Sequence, residues 1–189
     1  MKKALIIKCS PRSSGVSDLL GDYFFNGLTK WDKFILALRN YDILPCKNCQ
    51  HCDLEPFRCS LDKYDEAKFI YEQIFASDLV LFSSPIYFYA LPAHFKALID
   101  RAQHFYRENK SFTRSIKFIV FLAAGRPRGE KLFSGALLTL NSFLKAIHFQ
   151  IDEKFCWRGL DTVNDLEKKP EIEKEIEAAA HSWNSYAWG

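Results

Sequence analysis

Short apolar runs alternate with helical stripes along this chain, and that alternation limits the fold more than any single motif. Ala4 to Cys9 (ALIIKC), Phe34 to Leu38 (FILAL), Leu79 to Phe82 (LVLF), Ile116 to Ala124 and Phe149 to Trp157 read as five strands. The first is nearly continuous in apolar residues, as a strand covered on both faces is. Between the strands, apolar residues recur at helical spacing. Val16, Leu19, Leu20, Phe24 and Leu28 form one such stripe, and Ala67, Ile70, Tyr71, Ile74 and Phe75 another. A helix starting near Pro92 carries Phe95, Leu98, Ile99, Ala102 and Phe105. The clearest stripe runs from Phe133 through Leu140 to Ile147, and a charged last helix follows Pro170.

Five strands alternating with helices imply an α/β fold with a parallel sheet wrapped on both faces. Right-handed crossovers leave few topologies, of which the flavodoxin-like three-layer sandwich with sheet order 2-1-3-4-5 fits this spacing. The 189 residues suffice for one such domain over 1–189, with a Cys-rich loop at 46–59. The formal net charge of +3, from 26 basic and 23 acidic side chains, argues against nucleic acid as a partner. No run approaches about 18 apolar residues, so no membrane span is expected. The basic start Met1-Lys2-Lys3 is followed by an apolar run that stops at Lys8, unlike a signal peptide. The expected location is cytoplasmic, where clustered Cys serve metal, redox or free-thiol roles rather than disulfides.

Sheets of this order bind ligands outside the carboxyl ends of the strands, between strands 1 and 3. The loops after strands 1, 3 and 4 therefore carry the chemistry. After strand 1 comes Ser10-Pro11-Arg12-Ser13-Ser14-Gly15-Val16-Ser17, a loop entering a helix. Free N–H groups there suit a phosphate. The hydroxyls of Ser10, Ser14 and Ser17 and the fork of Arg12 add donors, and Gly15 permits close approach. The loop lacks both the P-loop Lys and the G-x-G-x-x-G fingerprint, which favours a monophosphate. After strand 3 comes Ser83-Ser84-Pro85-Ile86-Tyr87-Phe88-Tyr89, with three aromatics where water is expected; a flat ligand or another subunit would cover them. After strand 4, Gly125 offers backbone to a ligand, and Arg126 and Arg128 could meet a dinucleotide phosphate.

Cys46, Cys49, Cys52 and Cys59 are spaced C-x2-C-x2-C-x6-C, close enough in sequence to surround one metal centre. The first three spacings match a bacterial [4Fe–4S] run, whereas structural zinc prefers two separated pairs. A [4Fe–4S] cluster, free thiols and zinc all remain open. Cys9 and Cys156 read as core side chains. Asp100 and Arg101 read as an ion pair or a solvated helix face. Phe105 and Tyr106, and the C-terminal Trp183, Tyr186 and Trp188, suggest a subunit contact or docking on the chain itself.

Four strings together resemble the NADPH-dependent FMN reductases, and most of all their iron–sulfur flavoprotein branch. They are the loop at Ser10 to Ser17, the four-Cys cluster, S-P-I-Y-F at Ser84 to Phe88, and F-K-A-L-I-D-R at Phe95 to Arg101. The resemblance implies FMN, with its phosphate on Ser10, Arg12, Ser14, Val16 and Ser17. The ring would lie against Pro85, Ile86, Tyr87 and Phe88, with Gly125 on its other flank. It also implies hydride transfer from NAD(P)H, a quinone, flavin or redox-protein acceptor, and homodimers or higher assemblies. An FMN and iron–sulfur electron carrier without a substrate of its own is the main alternative. A zinc-stapled binding module that lost the cofactor is a second.

Overall fold

A computed structural model describes residues 1–108 and 115–186. Its strands are β1 Lys3–Lys8, β2 Asp32–Ala37, β3 Leu79–Pro85, β4 Lys117–Ala124 and β5 Glu153–Arg158. They form one parallel sheet in the order β2-β1-β3-β4-β5, as the alternation implied. The helices are α1 Val16–Gly27, α2 Ala67–Phe75, α3 Ala93–Asp100, α4 Gln103–Glu108, α5 Ser134–Ala146, α6 Val163–Glu167 and α7 Pro170–Asn184. None of them is long and apolar enough to cross a membrane.

Each central strand feeds two cores because its side chains alternate across the sheet. In β4, Phe118, Val120 and Leu122 face the layer built by α2, α3 and α5, while Ile119, Phe121 and Ala123 face α1 and α7. β1 divides the same way, with Leu5 and Ile7 on one side and Ala4 and Ile6 on the other. This explains why the strands read as continuous apolar runs rather than alternating ones. Much of the aromatic excess is spent here. Phe24, Phe82, Phe95, Phe118 and Phe121 are fully buried, each contributing about 1.5–3 kcal/mol of burial.

Strand ends shift by up to four residues from the sequence reading, and three departures have a clear physical origin. β2 lies at the sheet edge, so Phe34 is partly exposed rather than buried, and Leu38 already belongs to a one-turn 3₁₀ segment, Leu38–Asn40. β5 begins at Glu153 rather than Phe149, because the Phe149 amide closes α5 by donating to the Leu144 carbonyl at 2.7 Å. The helix expected to run on past Pro92 breaks at Arg101–Ala102 into α3 and α4. The short α6 was not expected; a capping box between Thr162 and Asp165 starts it.

At the C-terminus Trp183 docks on its own chain. It is buried in the α1–α7 core and its indole N–H donates to Glu153 at 2.9 Å. Tyr186 packs on Trp183, and Trp188 lies outside the described residues. Phe105 is likewise taken up internally, edge-on to Tyr71 at 4.8 Å, while Tyr106 stays exposed.

Candidate functional site

The carboxyl ends of β1, β3 and β4 open into one cleft of about 380 Å³. One wall is the β1–α1 loop, through Ser10, Arg12, Gly15, Val16 and Ser17. The other is the end of β3, through Pro85, Ile86 and Tyr87. Ala123, Gly125, Arg126, Leu160 and Asp161 complete the lining.

The first wall is built to receive an anion. Ser10 is buried and closes a tight turn: its hydroxyl donates to the Arg12 carbonyl at 2.9 Å and accepts from the Arg12 N–H at 3.1 Å. Gly15 occupies the N-cap of α1, and no side chain caps that helix. The Asp18 N–H donates back to the Gly15 carbonyl at 2.9 Å, and the Val16 and Ser17 N–H groups keep their donor capacity at the positive end of the dipole. Arg12 lies exposed beside them. From below, the Ser83 hydroxyl donates to the Ser17 carbonyl at 2.5 Å and fixes the helix start to β3.

The second wall is apolar. Beyond Tyr87 the chain makes a two-residue hairpin, in which Tyr87 and Ala90 exchange backbone hydrogen bonds of 3.0 and 2.9 Å. Its tip residues, Phe88 and Tyr89, both adopt left-handed backbone angles, φ 50° and 66°. Such turns favour Asn-Gly, so two aromatics there cost about 1–2 kcal/mol each. The tip is held from two sides. Arg126 donates to the Tyr89 hydroxyl with its guanidinium over the ring, 5.6 Å from the centroid. Gly135 of α5 leaves room for the Tyr89 carbonyl, which a Cβ there would meet at 2.7 Å.

Eight of the ten expected cofactor residues line this cleft: Ser10, Arg12, Val16, Ser17, Pro85, Ile86, Tyr87 and Gly125. Two do not. Ser14 turns into solvent in a left-handed conformation, φ 55°, and Phe88 at the hairpin tip is wholly exposed. Leu160 and Asp161 were missed because they come from the loop after β5, where no motif drew attention. Gly125 links to them: a Cβ there would meet the Asp161 carboxylate at 2.8 Å. Cys156 is half-buried against the opposite core and does not line the cleft. Cys9 is buried, and burial pushes its thiol well above the ordinary range.

Behind the anion wall lies a second layer of charge. Asp18, in the first turn of α1, pairs with Arg39 at 2.9 Å. Burial raises the Asp18 carboxyl above its ordinary range, against the pull of Arg39 and then Lys8. Lys8 itself pairs with Asp22 at 2.7 Å. Both Asp18 and Arg39 escaped the sequence reading, although the strand order places the end of β2 beside the loop after β1.

The four clustered cysteines line a separate pocket of about 100 Å³, with Arg101, His104 and Arg107. The Arg101 Nε–H donates to Cys59 Sγ at 3.0 Å. The Ser60 hydroxyl lies 3.2 Å from Cys49 Sγ and lowers that thiol; burial, then Asp53, raises Cys52. All four are free thiols, and among the described residues no three His, Cys, Asp or Glu side chains converge as a metal site. Arg101 does not pair with Asp100. Its buried guanidinium binds Asp62 at 3.0 Å and Asp65, while Asp100 pairs with Lys96 on the solvated helix face.

The sheet order agrees with what comparisons with known proteins find. Over 94 residues the chain is 30% identical to the iron-sulfur flavoprotein of Methanosarcina thermophila, covering 50% of this chain and 48% of that protein. Over 99 residues it is 30% identical to the putative NAD(P)H-dependent FMN-containing oxidoreductase YwqN of Bacillus subtilis (strain 168), covering 52% and 51%. The chain thus matches about half the length of these curated relatives. The crystal structure of an FMN-dependent NADH-azoreductase from Bacillus anthracis, in complex with FMN, superposes with a TM-score of 0.73 at 14% identity. That match covers 97% of this chain and 100% of the other, and it speaks to the fold. Residues 2–151 match the family described as NADPH-dependent FMN reductase, a stretch holding both walls of the cleft. The chain belongs to the NADPH-dependent FMN reductase family.

Proposed function

We propose that this chain is a single FMN-binding domain that oxidises NAD(P)H and passes the electrons to a quinone, a flavin or a redox protein. One observation carries the reading: an uncapped helix N-terminus with Arg12 faces an apolar wall across a single cleft at the switch point. FMN fits that pairing of an anion seat with a flat apolar face, and when bound it supplies hydride acceptance and onward electron transfer.

The chain's own residues do the rest. Ser10, Arg12, Val16 and Ser17 hold the phosphate through the loop and the helix start. Pro85, Ile86 and Tyr87 exclude water from one side of the ring, and Gly125 keeps the opposite flank open. Arg126, on the rim, supplies positive charge where a dinucleotide phosphate enters. Ser14 and Phe88, turned to solvent, take no part in the seat. No acid–base dyad is required, because hydride transfer is carried by the cofactor.

The [4Fe–4S] reading of Cys46, Cys49, Cys52 and Cys59 rests on their spacing and on the name of one relative. The thiols share a pocket but do not converge as the ligands of a cluster would, so no electron-transfer step is assigned to them. The reading includes a cytoplasmic location and a second copy of the chain as partner.

A visible spectrum of anaerobically purified protein tests the cofactor, and nicotinamide oxidation with a quinone acceptor tests the reaction. Flavin bands and steady-state oxidation of NADPH or NADH are expected. A colourless protein that takes up no added FMN would overturn the reading. A flavin-loaded protein that oxidises neither nicotinamide with any acceptor would leave the electron carrier in its place. A broad absorption shoulder beyond the flavin bands would reinstate the cluster.

A further inference from the structure

We infer that Arg39, oriented by Asp18, is a positioning residue that fixes the anion-binding loop from behind and confers preference for the phosphorylated flavin over riboflavin. The inference rests on the FMN reading of the cleft.

Arg39 follows β2, which neighbours β1 in the sheet, so its side chain reaches under the loop that leaves β1. One guanidinium nitrogen makes both contacts. It lies 2.9 Å from Asp18 Oδ2 and donates to the Ser10 carbonyl at 3.3 Å. Ser10 is the residue whose hydroxyl closes the turn on Arg12. Asp18 belongs to the first turn of α1, one residue after Ser17. Arg39 therefore clamps the two ends of the anion wall, the turn at Ser10 and the helix start.

The electrostatics make the arrangement more than a tie. A carboxylate behind an anion seat opposes the anion. The Asp18 side chain is 3% exposed, and its Oδ1 has no hydrogen-bond partner among the described residues. Solvent does little to screen it, and Arg39 is its direct counter-charge. The carboxylate is useful because it fixes the guanidinium's direction, which a flexible arginine lacks on its own. Neither side chain lines the cleft, so both act through the loop.

Positioning and simple charge make opposite predictions for Asp18→Asn. Removing a negative charge behind the seat would tighten FMN if charge alone mattered. Releasing Arg39 from Ser10 would weaken it if geometry matters. The experiment strips the full-length protein of flavin and titrates it with FMN and with riboflavin, following flavin fluorescence. For Arg39→Met, FMN affinity is expected to fall about tenfold with riboflavin affinity unchanged. Asp18→Asn is expected to weaken FMN in the same sense, and Arg39→Lys to recover part of the loss. Tighter FMN binding by Asp18→Asn, equal losses for both flavins, or no loss would each overturn the inference. If Arg39→Met fails to fold, Asp18→Asn decides alone, since the asparagine is uncharged and of similar size. A wild-type protein that binds neither flavin would sink the FMN reading and the inference together; one that binds FMN and riboflavin equally tightly would sink only the inference.

Discussion

His104 is held neutral by its surroundings. Burial lowers its pKa, and its ring lies tilted against Phe105, with centroids 3.8 Å apart and planes at 40°. Nδ1–H donates to the Arg101 carbonyl at 2.9 Å, which fixes the tautomer. The folded-state value lies below the unfolded one, so the unfolded chain takes up a proton first as pH falls. This contribution is fully present above the unfolded imidazole value of about 6.5 and is lost as pH drops from there toward the folded value. Urea denaturation at stepped pH should show stability declining over that interval, and His104→Phe should flatten the slope while keeping an aromatic ring in contact with Phe105. An unchanged slope would show that other groups govern the acid limb. At this scale the sequence was a partial guide. Ser10, Arg12 and Tyr87 were legible because they sit in a motif and at a strand end. Arg39, Asp18 and Gly135 were not, because each acts through a neighbour that only the folded chain supplies.

The break between α3 and α4 is the clearest case in which an element departs from its periodicity. Apolar spacing from Phe95 to Phe105 carries straight through the break, so no single-sequence pattern marks it. What stops the helix is tertiary. The Arg101 guanidinium is 1% exposed and gathers the Cys loop: it donates to the Leu44 carbonyl at one end and to Cys59 Sγ at the other. Asp65, its side chain fully buried, accepts from Arg101, from the Leu44 amide at 2.8 Å and from the Ala67 amide at the start of α2. Removing one partner of such a group leaves an uncompensated charge. Arg101→Met should destabilise the protein by about 3–5 kcal/mol in urea denaturation, and adding Asp65→Asn should restore a substantial part. A loss below about 1 kcal/mol would mean the ion cluster is easily rehydrated. Of the two readings of the D-R string, the solvated helix face holds for Asp100, while Arg101 forms buried ion pairs with Asp62 and Asp65 rather than with its neighbour.

At the scale of the molecule, strand order was the most legible property. It followed from alternation and from the handedness of crossovers, which are generic constraints. The destination of the aromatics was less so, since a Phe-rich composition does not say which rings enter the core. Of the aromatics singled out for a ligand or subunit contact, Phe105 and Trp183 went inward, while Tyr87, Phe88, Tyr89, Tyr106 and Tyr186 are exposed. Trp183 is buried in its own chain, so the proposed self-association draws on exposed side chains such as these instead. Sedimentation at micromolar concentration should show a dimer or larger species, and Phe88→Ser should shift it toward monomer if the hairpin tip is covered. A clean wild-type monomer would remove the second copy from the proposal. One element joins the cleft to the cysteine pocket. The aromatic hairpin leads through Leu91 and Pro92 directly into α3, and Arg101 caps the far end of α3. Eight helical residues make a strut of about 12 Å. The wall of the cleft and the cysteine pocket are thus mounted on opposite ends of one stiff rod, mechanically in series, and a tug on either is delivered to the other with little slack.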